Sequence, residues 1–352
     1  MTPSKAALFS LVFILAVSNV AANQPKKNRT AIKAVPFTAQ AHYVMGTMLE
    51  IQLPATASDK LFAQLFSIAR RHDEVFSTFK PESPISQFNR SNRKQTPFAA
   101  PDEIIELTSI SQRLAEQTAG AFDVTVGPLV EMWKQAVKQQ QWPDAQTIEA
   151  ARRRVGVHQI AVDLKARSIK ALADGVELDF NGIAKGYSVD RMADALKAAG
   201  VAQAFINFGE SSIYALGAGP DGRAWSVAVR DPQNPNRSAL TLRISNVAIS
   251  SSASYEHSSQ IGNRTINHIV DPRTGLPANA QAAVTVIAPS ATIADALSTA
   301  LVVLAPGEGL KVLEKFPGAE AVIFYRSDDG RWKRAMSKGM QRYIQPLNTE
   351  RN

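Results

Sequence analysis

Residues 265–301 read TINHIVDPRTGLPANAQAAVTVIAPSATIADALSTAL, and the rest of the chain can be read outward from them. The stretch opens on a tight turn, His268 to Gly275, in which Asp271-Pro272 and Gly275 are turn formers. In Ala283–Ala288, Val284, Val286 and Ala288 alternate with Thr285 and Ile287, which predicts a strand. After Pro289, Ser290 and Thr292 are cap candidates for a helix that carries Asp295 and Thr299. Those two side chains are four residues apart and share one helix face. A carboxylate and a hydroxyl on one face, beside a turn bearing a histidine, can hold a hard cation against a phosphate. The same pair has a plainer use: an early helix aspartate favoured by the dipole and a threonine bonding its own helix carbonyl.

Upstream, Ala248–Ser254 is small and polar. Trp225–Arg230 and Leu240–Ser245 alternate as antiparallel strands around a turn at residues 232–237. Ala204–Phe208 predicts an apolar strand followed by Gly209-Glu210-Ser211-Ser212. Val176–Phe180 predicts a short strand that runs into Asp179-Phe180-Asn181-Gly182-Ile183-Ala184-Lys185-Gly186-Tyr187 and opens a helix to Ala199. Two glycines, a lysine and a helix start suit an anion, and equally suit a plain Asn/Gly turn. Nearer the N-terminus, Met45-Gly46-Thr47 reads as the start of a strand over Met48–Leu53. Apolar spacing predicts a helix over Lys60–Phe76, and Phe76-Ser77-Thr78-Phe79 leads into a Pro/Ser loop ending at Asn89. A helix from Pro101 to about Thr118 stops at Gly120-Ala121-Phe122-Asp123, a strand follows over Val124–Val130, and a helix is expected over Asp144–Val155. His158–Leu164 and Ser168–Leu172 predict paired strands. Downstream come a helix over Pro306–Lys315, a strand over Ala321–Tyr325, a turn at Asp328-Asp329-Gly330 and a last strand near Trp332. Helices and antiparallel strands mix without a βαβ beat, so the expected class is α+β.

The chain has 352 residues, 45% of them hydrophobic, which is enough for a substantial core. Its net charge is +8, but the basic residues are scattered except near Lys26–Lys33 and Arg331–Arg342, and no basic stripe with interleaved aromatics occurs. Nucleic acid is therefore not an expected partner, whereas a phosphate-bearing ligand suits the charge. With no cysteine, disulfides, thiolate catalysis, zinc ribbons and iron–sulfur ligation are excluded. Residues 1–22 have Lys5, an apolar run from Ala6 to Val17 and small residues at Val20-Ala21-Ala22. That run is shorter than the ~20 residues of a membrane span and reads as a signal peptide cleaved after Ala22. Residues 23–36 read as a polar, basic tether, 37–345 as the folded domain and 346–352 as a polar tail. No P-loop, G-x-G-x-x-G, H-E-x-x-H or G-x-S-x-G motif is present.

Taken in order, several pieces resemble the ApbE family of FAD:protein FMN transferases. They are Met45-Gly46-Thr47, Phe76-Ser77-Thr78-Phe79, Gly120 to Asp123 with Val126-Gly127-Pro128-Leu129, Asp179 through Tyr187, His268 through Gly275, and Ala294 through Ala300. The resemblance covers about Tyr43 to Phe324 and implies a T-fold-related α+β architecture of mixed, largely antiparallel sheets with packed helices. It implies an exported, periplasmic enzyme that uses FAD with Mg²⁺ and has no stable membrane anchor once its signal peptide is removed. An acceptor flavoprotein's Ser or Thr hydroxyl attacks the FMN-side phosphorus, AMP leaves, and FMN remains as a phosphoester. By family position the metal ligands would be the Gly182 carbonyl, Asp295 and Thr299. Met45, Phe79, Ala121, Phe122, Asp123, Asp179, Lys185, His268 and Ile269 would contact FAD, and His268 would position or deprotonate the acceptor hydroxyl. Alternatives are an FAD pyrophosphatase giving FMN and AMP, or a non-catalytic periplasmic FAD-binding protein.

This chain departs from the family pattern in four respects. Phe79 stands where many relatives have tyrosine. Asn207-Phe208-Gly209-Glu210-Ser211 stands for Asn-x-Gly-Gly-Asp, and Ser250-Ser251-Ser252 for Thr-Ser-Gly. Without cysteine the chain cannot be a lipoprotein, as many relatives are.

Overall fold

A computed structural model describes residues 35–91, 96–254, 258–278 and 281–345. The expected signal peptide, residues 23–34 of the tether and the tail at 346–352 lie outside them. Among the described residues no helix is long and apolar enough to cross a membrane.

The architecture is α+β, as the pattern predicts. Eight strands form one sheet in the order β1-β2-β6-β7-β10-β13-β14-β15, every neighbour antiparallel. The strands are β1 (Phe37–Val44), β2 (Thr47–Pro54), β6 (Ala204–Phe208), β7 (Ser212–Leu216), β10 (Val247–Ala253), β13 (Ala282–Ala288), β14 (Glu320–Arg326) and β15 (Trp332–Met336). One face carries the helices α1 (Asp59–Phe76), α6 (Ala184–Ala198) and α7 (Ala291–Val303). The other face carries the hairpin β8 (Trp225–Asp231)/β9 (Asn234–Ile244). Because strand side chains alternate, β13 sends Val284, Val286 and Ala288 to the helices and Ile287 to the hairpin. A strand covered on both sides reads as a nearly continuous apolar run.

A smaller cluster joins α4 (Gly127–Gln139), α5 (Ala145–Arg152) and the hairpin β11 (Ser258–Ile261)/β12 (Arg264–Asn267) around Leu129, Trp133, Ile266 and Val270. A three-stranded sheet, β3 (Phe98–Ala99) with β5 (Ser168–Ala171) and β4 (Ile160–Asp163), lies beside α3 (Asp102–Gln117). The remaining helices are α2 (Pro84–Ser91) and α8 (Pro306–Leu313).

Several expected elements change character. Met45-Gly46-Thr47 is less a strand start than a turn: Val44 pairs with Thr47, and Met45 and Gly46 take φ of +50° and +75°. That two-residue left-handed turn closes a hairpin onto β1, whose polar sequence at the sheet edge hides its pairing. The loop expected to end at Asn89 contains α2. Val124–Val130 is not a strand, because Gly127-Pro128 starts α4, where proline's fixed φ suits the first turn. Val176–Phe180 makes only an isolated bridge, Glu177 to Val126. The small, polar Ala248–Ser254 contributes β10, in the middle of the sheet, because its serines are bonded rather than exposed.

Candidate functional site

Helices α6 and α7 cross where Gly186 meets Ala291. A Cβ at Gly186 would run into the Ala291 carbonyl oxygen and lie 2.7 Å from Asp295 Cβ. Each helix supplies the other's N-terminal acceptor. Ile183 at the N-cap of α6 has no side-chain acceptor, and Asp295 Oδ2 of α7 instead accepts from Gly186 N at 2.9 Å. In return Asp190 of α6 accepts from Ala291 N (2.7 Å), Thr292 N (2.9 Å), Ser290 Oγ and Thr292 Oγ1 (both 2.6 Å) at the start of α7. Orphan helix N–H groups are thus satisfied across the contact, which draws the two N-termini together. Asp190 carries no local cap signature, since it lies inside α6, and sequence reasoning missed it.

Asp295 is buried, and burial raises its carboxyl pKa above the ordinary aspartate range; the Lys185 charge and the Gly186 N–H pull it back. Its Oδ1 accepts from Ser250 Oγ of β10 at 2.9 Å. One turn further along α7, Thr299 lies against Gly182: a Cβ built there would be 3.3 Å from Thr299 Oγ1 and 3.4 Å from Phe122 Cε2. The fold therefore brings Gly182, Thr299 and Phe122 together, with Asp295 and Lys185 next along the same two helices. Among the described residues no group of three or more His, Cys, Asp or Glu could hold a metal. One carboxylate with a hydroxyl and a carbonyl is an all-oxygen donor set, which fits a hard cation that takes its other ligands from water or phosphate.

The remaining predicted residues lie on neighbouring segments. Asp179 N donates to Val124 O at 2.7 Å, stitching the Ala121–Asp123 segment to the Asp179–Gly182 segment. Asp179 accepts from Asn181 N at 2.8 Å; burial raises its pKa, and the charge of Lys134 opposes that rise. Lys134 Nζ also sits 5.2 Å from the ring centre of Phe79, which is 76% exposed. Lys134 is a residue that sequence reasoning missed, because the pattern predicts only a strand there, over Val124–Val130, and not the helix that carries Lys134. Ala121 and Phe122 are buried. Asp123 is buried too, but its oxygens are taken by Thr125 N (2.8 Å), Thr125 Oγ1 (2.6 Å) and Val157 N (3.0 Å). Met45 points toward α6, its Sδ 3.8 Å from Ser188 Oγ.

The His268 turn stands on a different support. Ile269 N donates to Asn267 Oδ1 (2.9 Å), Gly275 N to Asp271 O (2.8 Å), and Trp133 Nε1 of α4 to Gly275 O (2.8 Å). His268 is exposed beside the buried Ile269.

The departures noted in the sequence are accommodated locally. Gly209 and Glu210 take φ of +66° and +59°, and Glu210 forms an ion pair with Arg230 at 2.7 Å. Ser252 Oγ lies 2.7 Å from Ser298 Oγ on α7.

Comparison with known proteins identifies the family and the fold. The model of the ApbE family matches residues 45–323. An FAD:protein FMN transferase of Haemophilus influenzae is 31% identical over 284 residues, spanning 78% of this chain and 80% of that protein. One of Escherichia coli K12 is 29% identical over 301 residues, spanning 83% and 84%. Among solved structures, the apo flavinyl transferase ApbE of Pseudomonas stutzeri superposes with a TM-score of 0.78 at 28% identity, covering 89% of this chain and 98% of that one. The flavin transferase ApbE of Vibrio cholerae gives 0.76 at 26%, covering 88% and 99%. With about four-fifths of its length matched by the family model, the chain belongs to the ApbE family.

Proposed function

We propose that the protein is a Mg²⁺-dependent FAD:protein FMN transferase acting on a Ser or Thr hydroxyl of an acceptor flavoprotein and releasing AMP. The observation that carries this reading is the contact of Gly182 with Thr299 beside the buried Asp295. Asp295, Thr299 and the Gly182 carbonyl would hold Mg²⁺. When bound, Mg²⁺ supplies charge neutralisation at phosphoryl oxygens and fixes their orientation. Lys185, in the first turn of α6, adds positive charge for the pyrophosphate. Phe79 offers an exposed ring for packing on FAD, with Met45, Ala121, Phe122, Asp123, Asp179 and Ile269 completing the walls. Asp123 contributes by fixing the backbone of its turn, since its own oxygens are already bonded. His268, exposed on a turn braced by α4, orients the acceptor hydroxyl or takes its proton as the new P–O bond forms. The hydroxyl oxygen joins the FMN-side phosphorus, and the bond to the AMP phosphate breaks.

Residues 1–22 direct export and residues 23–36 tether a periplasmic domain; N-terminal sequencing of the exported protein should begin at Asn23. The activity is tested by incubating the mature protein with FAD, Mg²⁺ and a flavin-acceptor domain, following AMP and covalent fluorescence on the acceptor. AMP with a labelled acceptor is expected. AMP with free FMN and no label would make the protein a pyrophosphatase, and bound FAD without AMP a carrier.

A further inference from the structure

On the helix side of the sheet, β7 and β10 set Ser212 opposite Ser250. Both are fully buried and both lie under α7 near Asp295. The hydroxyls around them are committed. Ser250 Oγ donates to Asp295 Oδ1 at 2.9 Å, Ser298 Oγ donates to the Asp295 carbonyl at 2.9 Å, and Ser252 and Ser298 pair at 2.7 Å. Ser212 Oγ is the exception: it is buried and reaches no partner at good hydrogen-bonding geometry, although it lies close enough to the Asp295 carboxylate to interact with it. A buried hydroxyl without a partner is destabilising, and alanine would fit the same strand at less cost. Its position still matters electrically, because it favours the charged form of Asp295. It faces the carboxylate from the strand next to Ser250.

An ionised carboxylate has about four acceptor positions. Gly186 N and Ser250 Oγ occupy one on each oxygen. A cation held by Asp295 would take another, and Ser212, beside Ser250 on the same face of the sheet, would supply a further donor to hold the carboxylate plane. We propose that Ser212 is a positioning residue for Asp295, engaged when a divalent cation is bound there. This rests on the metal-binding reading proposed above. It goes beyond that reading by assigning a second layer of support to a residue outside the motifs that carried it.

The test uses the full mature chain and Mn²⁺ alone, with free Mn²⁺ followed by electron paramagnetic resonance. Ser212→Ala should bind Mn²⁺ about tenfold more weakly than wild type, the usual scale for losing a group that orients a metal ligand. Its metal-free melting temperature should equal or exceed that of wild type, because no hydrogen bond of good geometry is removed. Ser251→Ala is the control: Ser251 Oγ pairs with Thr285 at 2.9 Å, away from Asp295, and Mn²⁺ binding should be unchanged. Undiminished binding by Ser212→Ala beside a binding wild type overturns this proposal alone. So does a fall in the metal-free melting temperature, or failure to fold, which would make Ser212 an ordinary structural hydroxyl. A wild type that binds no Mn²⁺ overturns this proposal and the metal reading together.

Discussion

Asp123 and Asp295 are both buried carboxylates whose pKa is raised by burial, and both come from motifs that point to one site. The structure gives them different work. Asp123 is consumed by its own neighbourhood: three donors from Thr125 and Val157 converge on it, and two are backbone N–H groups, one in a turn and one at the start of a short 3-10 helix. Thr125 Oγ1 in turn accepts from Gly156 N at 2.6 Å, so the carboxylate ties the turn after α3 to the segment after α5. Asp295 accepts from one helix N–H and one serine at good geometry, with the Ser212 hydroxyl close by. Two buried acids are thus unequal in remaining acceptor capacity, and that capacity is what a metal requires.

The largest expected effect sharpens this contrast. Asp295→Asn should lower Mg²⁺-dependent FMN transfer by about a thousandfold or more, since it removes the one formal charge among the proposed ligands. The amide oxygen can still accept from Gly186 N, and burial no longer opposes a charge, so the melting temperature should hold or rise. Wild-type transfer rates in this variant would remove Asp295 from the metal site.

Asp123→Ala should behave in the opposite way. Three donors lose their acceptor, which should cost about 3 kcal/mol in urea unfolding, with transfer per folded molecule falling far less than in Asp295→Asn. A fully stable Asp123→Ala that no longer binds FAD would break the comparison and return Asp123 to the ligand-contacting set.

His72 tests burial on a group of opposite sign. It lies in the core under α6, where Nδ1 meets Ser188 Oγ at 2.8 Å. Ser188 Oγ also lies 2.7 Å from Ala184 O, an acceptor for its own proton. Desolvation lowers its pKa from 6.5 to about 4. The unfolded chain then binds the proton that the fold refuses. This contribution leaves stability unaffected above pH 6.5, and stability falls as pH drops from 6.5 toward 4, by up to about 3 kcal/mol. Urea midpoints across that range should show the decline in wild type and a reduced one in His72→Gln.

The smallest stability effect belongs to Phe79. Its exposed ring should leave the melting temperature nearly unchanged in Phe79→Ala, within about 0.5 kcal/mol, while weakening FAD binding about tenfold by fluorescence titration. Unchanged FAD affinity would make the ring a surface residue.

The sequence by itself determined the class, most of the longer elements and the residues worth examining. Period-2 and period-3.6 patterns located β13, α1, α3, α6 and α7, because each buries a face that its own spacing defines. Motif order supplied the family. The misread elements divide between distant partners and local turn chemistry. β10 carries serines that count as polar until α7 satisfies them, and β1 is an edge strand whose register is fixed by a turn with positive φ. Tertiary structure alone decided which acids are committed. Asp295 caps α6 across 109 residues, and Asp190 caps α7 across about the same distance, so neither helix start carries its full explanation locally. A hydrogen bond between distant segments leaves no periodic trace, and for that reason the division of labour between Asp123 and Asp295 became visible only in the folded chain.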